Sequence, residues 1–137
     1  IDFMTAQGLF SPDLLIEAEM TAADAYQTMR SRLQNGGALP TALLAANEEA
    51  AFGAMRALRE GGLRVPEDMS VIGFNDTPLS ELTDPPLTSI STHVKMMSCV
   101  AVDLLVQRTH KAHDAVPLKI VVPPMLIERA SVSSLTE

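Results

Sequence analysis

Apolar positions along this chain alternate between two rhythms. Residues 41–46, Thr-Ala-Leu-Leu-Ala-Ala, form an almost unbroken apolar run, the pattern of a strand covered on both faces. Residues 70–74, Ser-Val-Ile-Gly-Phe, repeat it after a proline turn at Pro66 and stop abruptly at the polar pair Asn75-Asp76. Elsewhere the spacing is helical. Ala22, Ala25, Tyr26, Met29 and Leu33 share one helix face, and Ala51, Met55 and Leu58 share another. Thr21 and Asp24 make a capping-box-like start for the first helix, with Asp in place of the usual Glu, and Gly36-Gly37 ends it. Asn47 can cap the second helix, Glu48 and Glu49 sit in its first turn where negative charge suits the helix dipole, and Gly61-Gly62 closes it. Residues 14–19 read as a further short strand. Residues 1–8 read as the end of a helix with Gly8 at its C′ position, so the chain is expected to be a fragment.

Two strand-helix-strand units in succession imply right-handed crossovers and a parallel sheet, hence an α/β fold. From Thr77 the rhythm changes. Asp84-Pro85-Pro86 cannot continue a helix, and residues 87–91 read as a short extended crossing. Met97, Val100, Ala101, Leu104 and Leu105 mark another amphipathic helix. Residues 110–117 form a polar loop, residues 119–122 and 125–128 read as extended on either side of Pro123-Pro124, and residues 131–137 read as a tail. There is no internal repeat and no low-complexity tract.

Composition narrows the functional classes. With 137 residues of which 47% are apolar, the chain can supply one core or part of a larger one. The net charge of −7 makes it a poor match for phosphate backbones, so any contact with nucleic acid belongs to another part of the polypeptide. Cys99 is the single cysteine; no disulfide can form within the chain, which fits a reducing compartment. No apolar run is long enough to cross a bilayer. No basic start followed by an apolar stretch is present, which in a fragment decides nothing.

In an open α/β sheet, ligands sit just outside the carboxyl ends of the strands. Asn47 and Asn75 each follow a buried strand, and in a parallel sheet both lie on that edge. Their amides, with donor and acceptor groups, could pair with sugar hydroxyls; equally, Asn47 could serve only as a cap and Asn75-Asp76 only as a turn. For Asp76 the turn role is favoured over ligand contact. Glu17 and Glu19 alternate on the expected first strand, but no nucleophile accompanies them and a solvated face explains them. His93, His110 and His113 lack convincing metal spacing. Cys99 between helical apolar neighbours reads as a buried packing residue rather than a reactive thiol. Met96-Met97 and Met125 could line an adaptable pocket, but ordinary core packing is favoured. No phosphate-binding glycine motif is present, and no cofactor is expected.

Laid end to end, the segments Leu39-Pro40-Thr41-Ala42-Leu43-Leu44-Ala45-Ala46-Asn47-Glu48, Ala54-Met55-Arg56-Ala57-Leu58-Arg59-Glu60-Gly61-Gly62-Leu63-Arg64-Val65-Pro66-Glu67-Asp68, Ser70-Val71-Ile72-Gly73-Phe74-Asn75-Asp76, Pro85-Pro86-Leu87-Thr88-Ser89-Ile90 and Leu126-Ile127-Glu128-Arg129 resemble the LacI/GalR family of transcriptional regulators. The resemblance runs from about residue 14 to residue 130. It implies a three-layer, periplasmic-binding-protein-like lobe, here incomplete. Residues 1–91 would form part of the C-terminal lobe of an effector-binding domain. Residues 92–118 would cross to the other lobe and lend it a helix, residues 119–130 would return, and residues 131–137 would be a tail. The helix-turn-helix and hinge helix that bind operator DNA have no counterpart in the chain.

The resemblance also implies site residues. Asn47 matches a polar effector contact. Asn75 stands where most members carry an Asp that binds sugar hydroxyls, and Met20 where some stack an aromatic ring on the sugar. Thr92 and Val94 match positions that approach the ligand after the crossing. Asn75-Asp76 with Met96-Met97 is similar to the galactose and β-galactoside repressor branch. The implied protein is a cytoplasmic homodimer that performs no chemistry, binds a sugar-like effector, touches operator DNA only through its missing N-terminal domain and has no membrane partner. The helix over residues 48–60 and residues 79–86 would contribute to dimerisation. Two other readings remain open at this point: a solute-binding receptor of the same fold, and a small α/β enzyme using Glu17, Glu19 or Asp76. Half of an effector domain would leave sheet edges and apolar faces uncovered, so the isolated piece is expected to be marginal or self-associating.

Overall fold

The computed structural model describes residues 1–36, 39–110 and 116–134. Its centre is a sheet of order β1-β2-β3-β4, formed by Ala42–Leu44, Ser70–Asn75, Thr88–Ser91 and Met125–Ile127. The first three strands are parallel and β4 runs antiparallel to β3. The α/β class and the parallel core of the sheet follow the expectation from the two strand-helix-strand units.

Helices α1 (Asp2–Ala6), α2 (Ala22–Gln34), α3 (Glu48–Glu60) and α4 (Val94–His110) complete the architecture. α1 ends as a Schellman motif, with Gly8 at φ +69° and the Leu9 and Gly8 N–H groups donating to the Met4 and Thr5 carbonyls. α2 begins at Thr21, whose hydroxyl accepts from the Asp24 N–H. Asp24 reaches back to the Glu19 N–H at 2.7 Å, further than a standard capping box, to a residue two before the cap. α2 ends at Asn35 and the left-handed Gly36; Gly37, the second half of the expected terminator, lies outside the described residues. α2 and α3 pack so closely that a Cβ on Gly53 would sit 2.2 Å from the Ala22 carbonyl oxygen. Met29, Ala51, Ala54, Met55, Leu58, Met69, Val71 and Leu87 fill the core beneath them.

Several expectations are corrected. Residues 14–19 form no strand. A 3-10 turn occupies Pro12–Leu14, and the Glu19 N–H serves the Asp24 carboxylate rather than a ladder, so Glu17 and Glu19 lose the alternation that placed them on one face. Residues 119–122 also form no strand: β3 ends at Ser91, opposite Met125, and the chain after it turns into α4 at Val94 instead of extending the ladder. The β1 run is not covered on both faces. Paired residues of adjacent strands point to the same side, and a Cβ on Gly73 would meet Glu48 of α3, so Val71 and Gly73 face the helices. Leu44, Ile72, Phe74, Ile90 and Leu126 therefore line the opposite face, where Leu44 is 66% exposed and Leu126 48%. Cys99 is exposed, not buried, because α4 presents most of its length to solvent, Met96 and Met97 included. Met125 is likewise exposed rather than core. Most of the expected loop at 110–117 and residues 135–137 of the expected tail lie outside the described residues.

The segment after β4 closes the amino end of the sheet. Ser131 is fully buried. Its carbonyl accepts from the Val71 N–H, its hydroxyl donates to the Val71 carbonyl, and the same hydroxyl accepts from the Thr88 N–H.

Candidate functional site

The site grows from the carboxyl rim of β1 and β2. Leu44 pairs with Ile72. Asn47 lies three residues beyond the first and Asn75 three beyond the second, so the two amides share a register on one edge of a parallel pair. Their surroundings differ. Asn47 is half-buried and caps α3: its Oδ1 accepts from the Ala50 N–H at 2.8 Å and its Nδ2 donates to the Met20 carbonyl at 2.9 Å. The cap reading is thus realised, with one amide hydrogen and one lone pair left over. Asn75 is exposed at the end of β2 with φ +102°, and its amide makes no side-chain hydrogen bond among the described residues.

Asn75 opens onto a groove of about 620 Å³ shared with Ser91, His93, Val94 and Lys95, at the start of α4. The structure therefore brings Asn75 and Val94 to one groove. It joins Asn47 to Met20 through a hydrogen bond at the other side of the rim. Met20, 60% exposed, flanks a separate apolar groove of about 790 Å³ along the open β1 edge, with Leu14, Leu15, Leu44 and Phe74. Thr92, half-buried, lies in the crossing between β3 and α4 and lines neither groove.

Asp76 does not act through its own turn's amides. Its carboxylate accepts from Arg129 at 2.8 Å, and Arg129 also donates to the Leu87 carbonyl at 2.8 Å and to Glu81 at 3.3 Å. Burial pulls the Arg129 guanidinium down, but the hydrogen bonds and charges of Asp76 and Glu81 leave it above its usual value. The partner lies 53 positions away in sequence, which is why turn chemistry alone favoured the wrong donor.

Glu48 was legible only as a first-turn residue favoured by the helix dipole. It is 4% exposed, and no cation pairs with it among the described residues. Both carboxylate oxygens accept from the Thr77 N–H, at 2.8 and 2.9 Å, and Oε1 also accepts from the Ser80 and Ser89 hydroxyls. Burial raises its pKa; the hydrogen bonds from Ser80, Thr77 and Ser89 outweigh that and hold it below the usual carboxylate value. Glu17 and Glu19 are exposed. Among the described residues no group of three His, Cys, Asp or Glu side chains is gathered as a metal site; His113, half of the spaced pair, lies outside them.

Residues 2–132 match the family described as periplasmic binding protein-like domain. The chain belongs to that family. Its relatives are transcriptional regulators. It is 35% identical over 104 residues to the HTH-type transcriptional regulator GalR of Streptococcus thermophilus, covering 76% of this chain and 31% of that protein. It is 41% identical over 127 residues to the HTH-type transcriptional repressor PurR of Haemophilus influenzae (strain PittEE), covering 91% of this chain and 38% of that one. The structure of a LacI family transcriptional regulator from Enterococcus faecalis V583 with bound ribose superposes with a TM-score of 0.80 at 36% identity, over 89% of this chain and 44% of that one. The chain thus spans between 31% and 38% of the length of these two curated relatives. It fits a LacI-type effector-binding fragment, as its motifs implied. Within the family, GalR and PurR relatives match alike, so the likeness is not confined to the galactose branch.

Proposed function

We propose that this chain is part of the effector-binding domain of a LacI-type transcriptional regulator, and that a sugar-like small molecule binds at the carboxyl rim where Asn47 and Asn75 stand in register. The observation that carries this reading is the Leu44–Ile72 pairing, which sets both amides on the edge where open parallel sheets hold ligands. The uncommitted Asn75 amide is the principal contact, because it can donate to and accept from hydroxyls at once. Val94 supplies an apolar wall of the same groove. Asn47 contributes its remaining hydrogen; Met20 and Thr92, which do not line the Asn75 groove, would meet the effector only at its margin.

Residues 92–118 would carry α4 into the second lobe, which agrees with the exposure of that helix along most of its length. The effector would bind two lobe arrangements with different affinity and so shift a homodimer between DNA-binding states. Leu79 and Leu82, 56% and 79% exposed, supply apolar surface for that dimer. Operator DNA would be held by another part of the polypeptide, since this chain carries a charge of −7. The protein acts in the cytoplasm, where its DNA lies; no described helix is long and apolar enough to cross a membrane. It binds rather than transforms its effector.

A thermal-shift screen with ribose, galactose and glucose tests the reading. At least one should raise the melting temperature with the logarithm of ligand excess, and Asn75→Ala should abolish the rise. A rise that survives Asn75→Ala would refute the assignment of the rim.

A further inference from the structure

We infer that Glu48 is a positioning residue for the effector rim: its buried carboxylate holds Asn75 and Asp76 in left-handed backbone and so fixes where the Asn75 amide points. The inference rests on Asn75 being a ligand contact.

Asn75 and Asp76 carry φ of +102° and +59°, consecutively, at the end of β2. Asn and Asp tolerate this region better than other L-residues, but two in a row are held only where the surroundings over-determine them. Glu48 is that surrounding. It clamps the very next amide, Thr77, through both carboxylate oxygens. Ser89 donates to Glu48 and at the same time accepts from the Asp76 N–H at 3.2 Å. Ser80, from the 3-10 turn at Pro78–Glu81, completes the set. Three donors, two from the turn after β2 and one from β3, are thus fastened to one oxygen pair. A charged acceptor makes each of these bonds stronger than a neutral one would, and the carboxylate begins α3, where the helix dipole favours it.

The sheet is built around this side chain. Gly73, two residues before Asn75, has no side chain because Glu48 and Leu87 fill the space: an added Cβ would lie 3.2 Å from Glu48 Cγ and 2.8 Å from a Leu87 methyl. A carboxylate needed only for the helix dipole would lie in solvent, like Glu49. Glu48 is instead adjacent in sequence to Asn47 and adjacent in space to the turn of Asn75. One residue therefore sets the relative placement of both rim amides.

Nuclear magnetic resonance on the 137-residue chain tests this. A left-handed residue brings its own N–H and Hα close together and gives a strong intraresidue cross-peak. The wild-type chain should show this at Asn75 and Asp76. Glu48→Gln should weaken both while the β2–β3 ladder signals stay in place. Should Glu48→Gln fail to fold, Ser89→Ala, which removes the Asp76 anchor and one donor to Glu48, makes the same test. Cross-peaks of undiminished strength in the folded variant would overturn the inference. Calorimetry with ribose, well below the melting temperature, adds a second readout. A roughly tenfold loss of affinity in Glu48→Gln supports positioning, as expected when one hydrogen bond to ligand is misaimed; unchanged affinity overturns it. If the wild-type chain does not bind ribose, that counts against ribose as effector, and the cross-peaks alone decide the role of Glu48.

Discussion

The guanidinium of Arg129 lies 2.8 Å from the carboxylate of Asp76, tying the end of β4 to the turn that leaves β2. Both side chains are largely shielded, at 13% and 17% exposure, and Arg129 also holds the Leu87 carbonyl. Arg129→Ala should therefore lower stability by about 3 kcal/mol, because removing one partner leaves the other charge desolvated and unpaired. Arg129→Lys should recover only part of this, since an ammonium cannot reproduce the planar fork. Urea unfolding of the two variants checks the order.

The helix pair sets a steric limit. A methyl on Gly53 would collide with backbone atoms of α2, the Ala22 carbonyl oxygen and the Tyr26 nitrogen. Backbone cannot rotate away as a side-chain tip can. Gly53→Ala should cost about 2 kcal/mol or more despite its better helix propensity. A raised midpoint in chemical denaturation would contradict the close approach.

Acid should unfasten the Glu48 knot. Its folded pKa lies below the ordinary value. Its contribution is thus fully present above the ordinary glutamate value of about 4.3 and is lost as pH falls through the lowered folded value. Glu48→Gln should be less stable near neutrality and should lose part of the steepness of acid unfolding below that point. Denaturant midpoints from neutrality down through the acid range give the comparison.

The two rim asparagines should separate by experiment. Asn47→Ala loses the α3 cap and should cost about 1 kcal/mol of stability. Asn75→Ala has no cap to lose; it should cost roughly 1 kcal/mol through the left-handed backbone at φ +102° and remove the ligand-induced rise as well. Melting temperatures with and without ribose distinguish them.

Much of this was readable from local pattern. Thr21, Asn47 and Gly8 follow capping chemistry that acts within a few residues, and the apolar runs of β1 and β2 announce a parallel sheet through their neighbours in sequence. What could not be read depends on distance along the chain. Arg129 reaches Asp76, Ser131 reaches Val71 and Glu48 reaches Ser89 across 53, 60 and 41 positions, and no periodicity reports such meetings. Residues 14–19 misled for a related reason: their composition suits a strand, but ladder bonds need an aligned partner, and Asp24 took the Glu19 amide. The exposure of Leu44 was hidden likewise, since an apolar run states what a strand can bury and not whether anything is there to bury it.

That uncovered face gives a further prediction. Leu44, Phe74 and Leu126 lie on one side of the sheet and are exposed. Light scattering should show the isolated chain associating, and Leu44→Lys with Leu126→Lys should shift it toward monomer. A well-behaved wild-type monomer would contradict this.

The buried hydroxyl of Ser131 has a consequence for biosynthesis. On a ribosome, Val71 and Thr88 emerge long before the residue that satisfies their backbone groups. The amino end of the sheet therefore stays unsealed until some forty further residues have been translated past Thr88, and the nascent chain is vulnerable to mispairing throughout that interval.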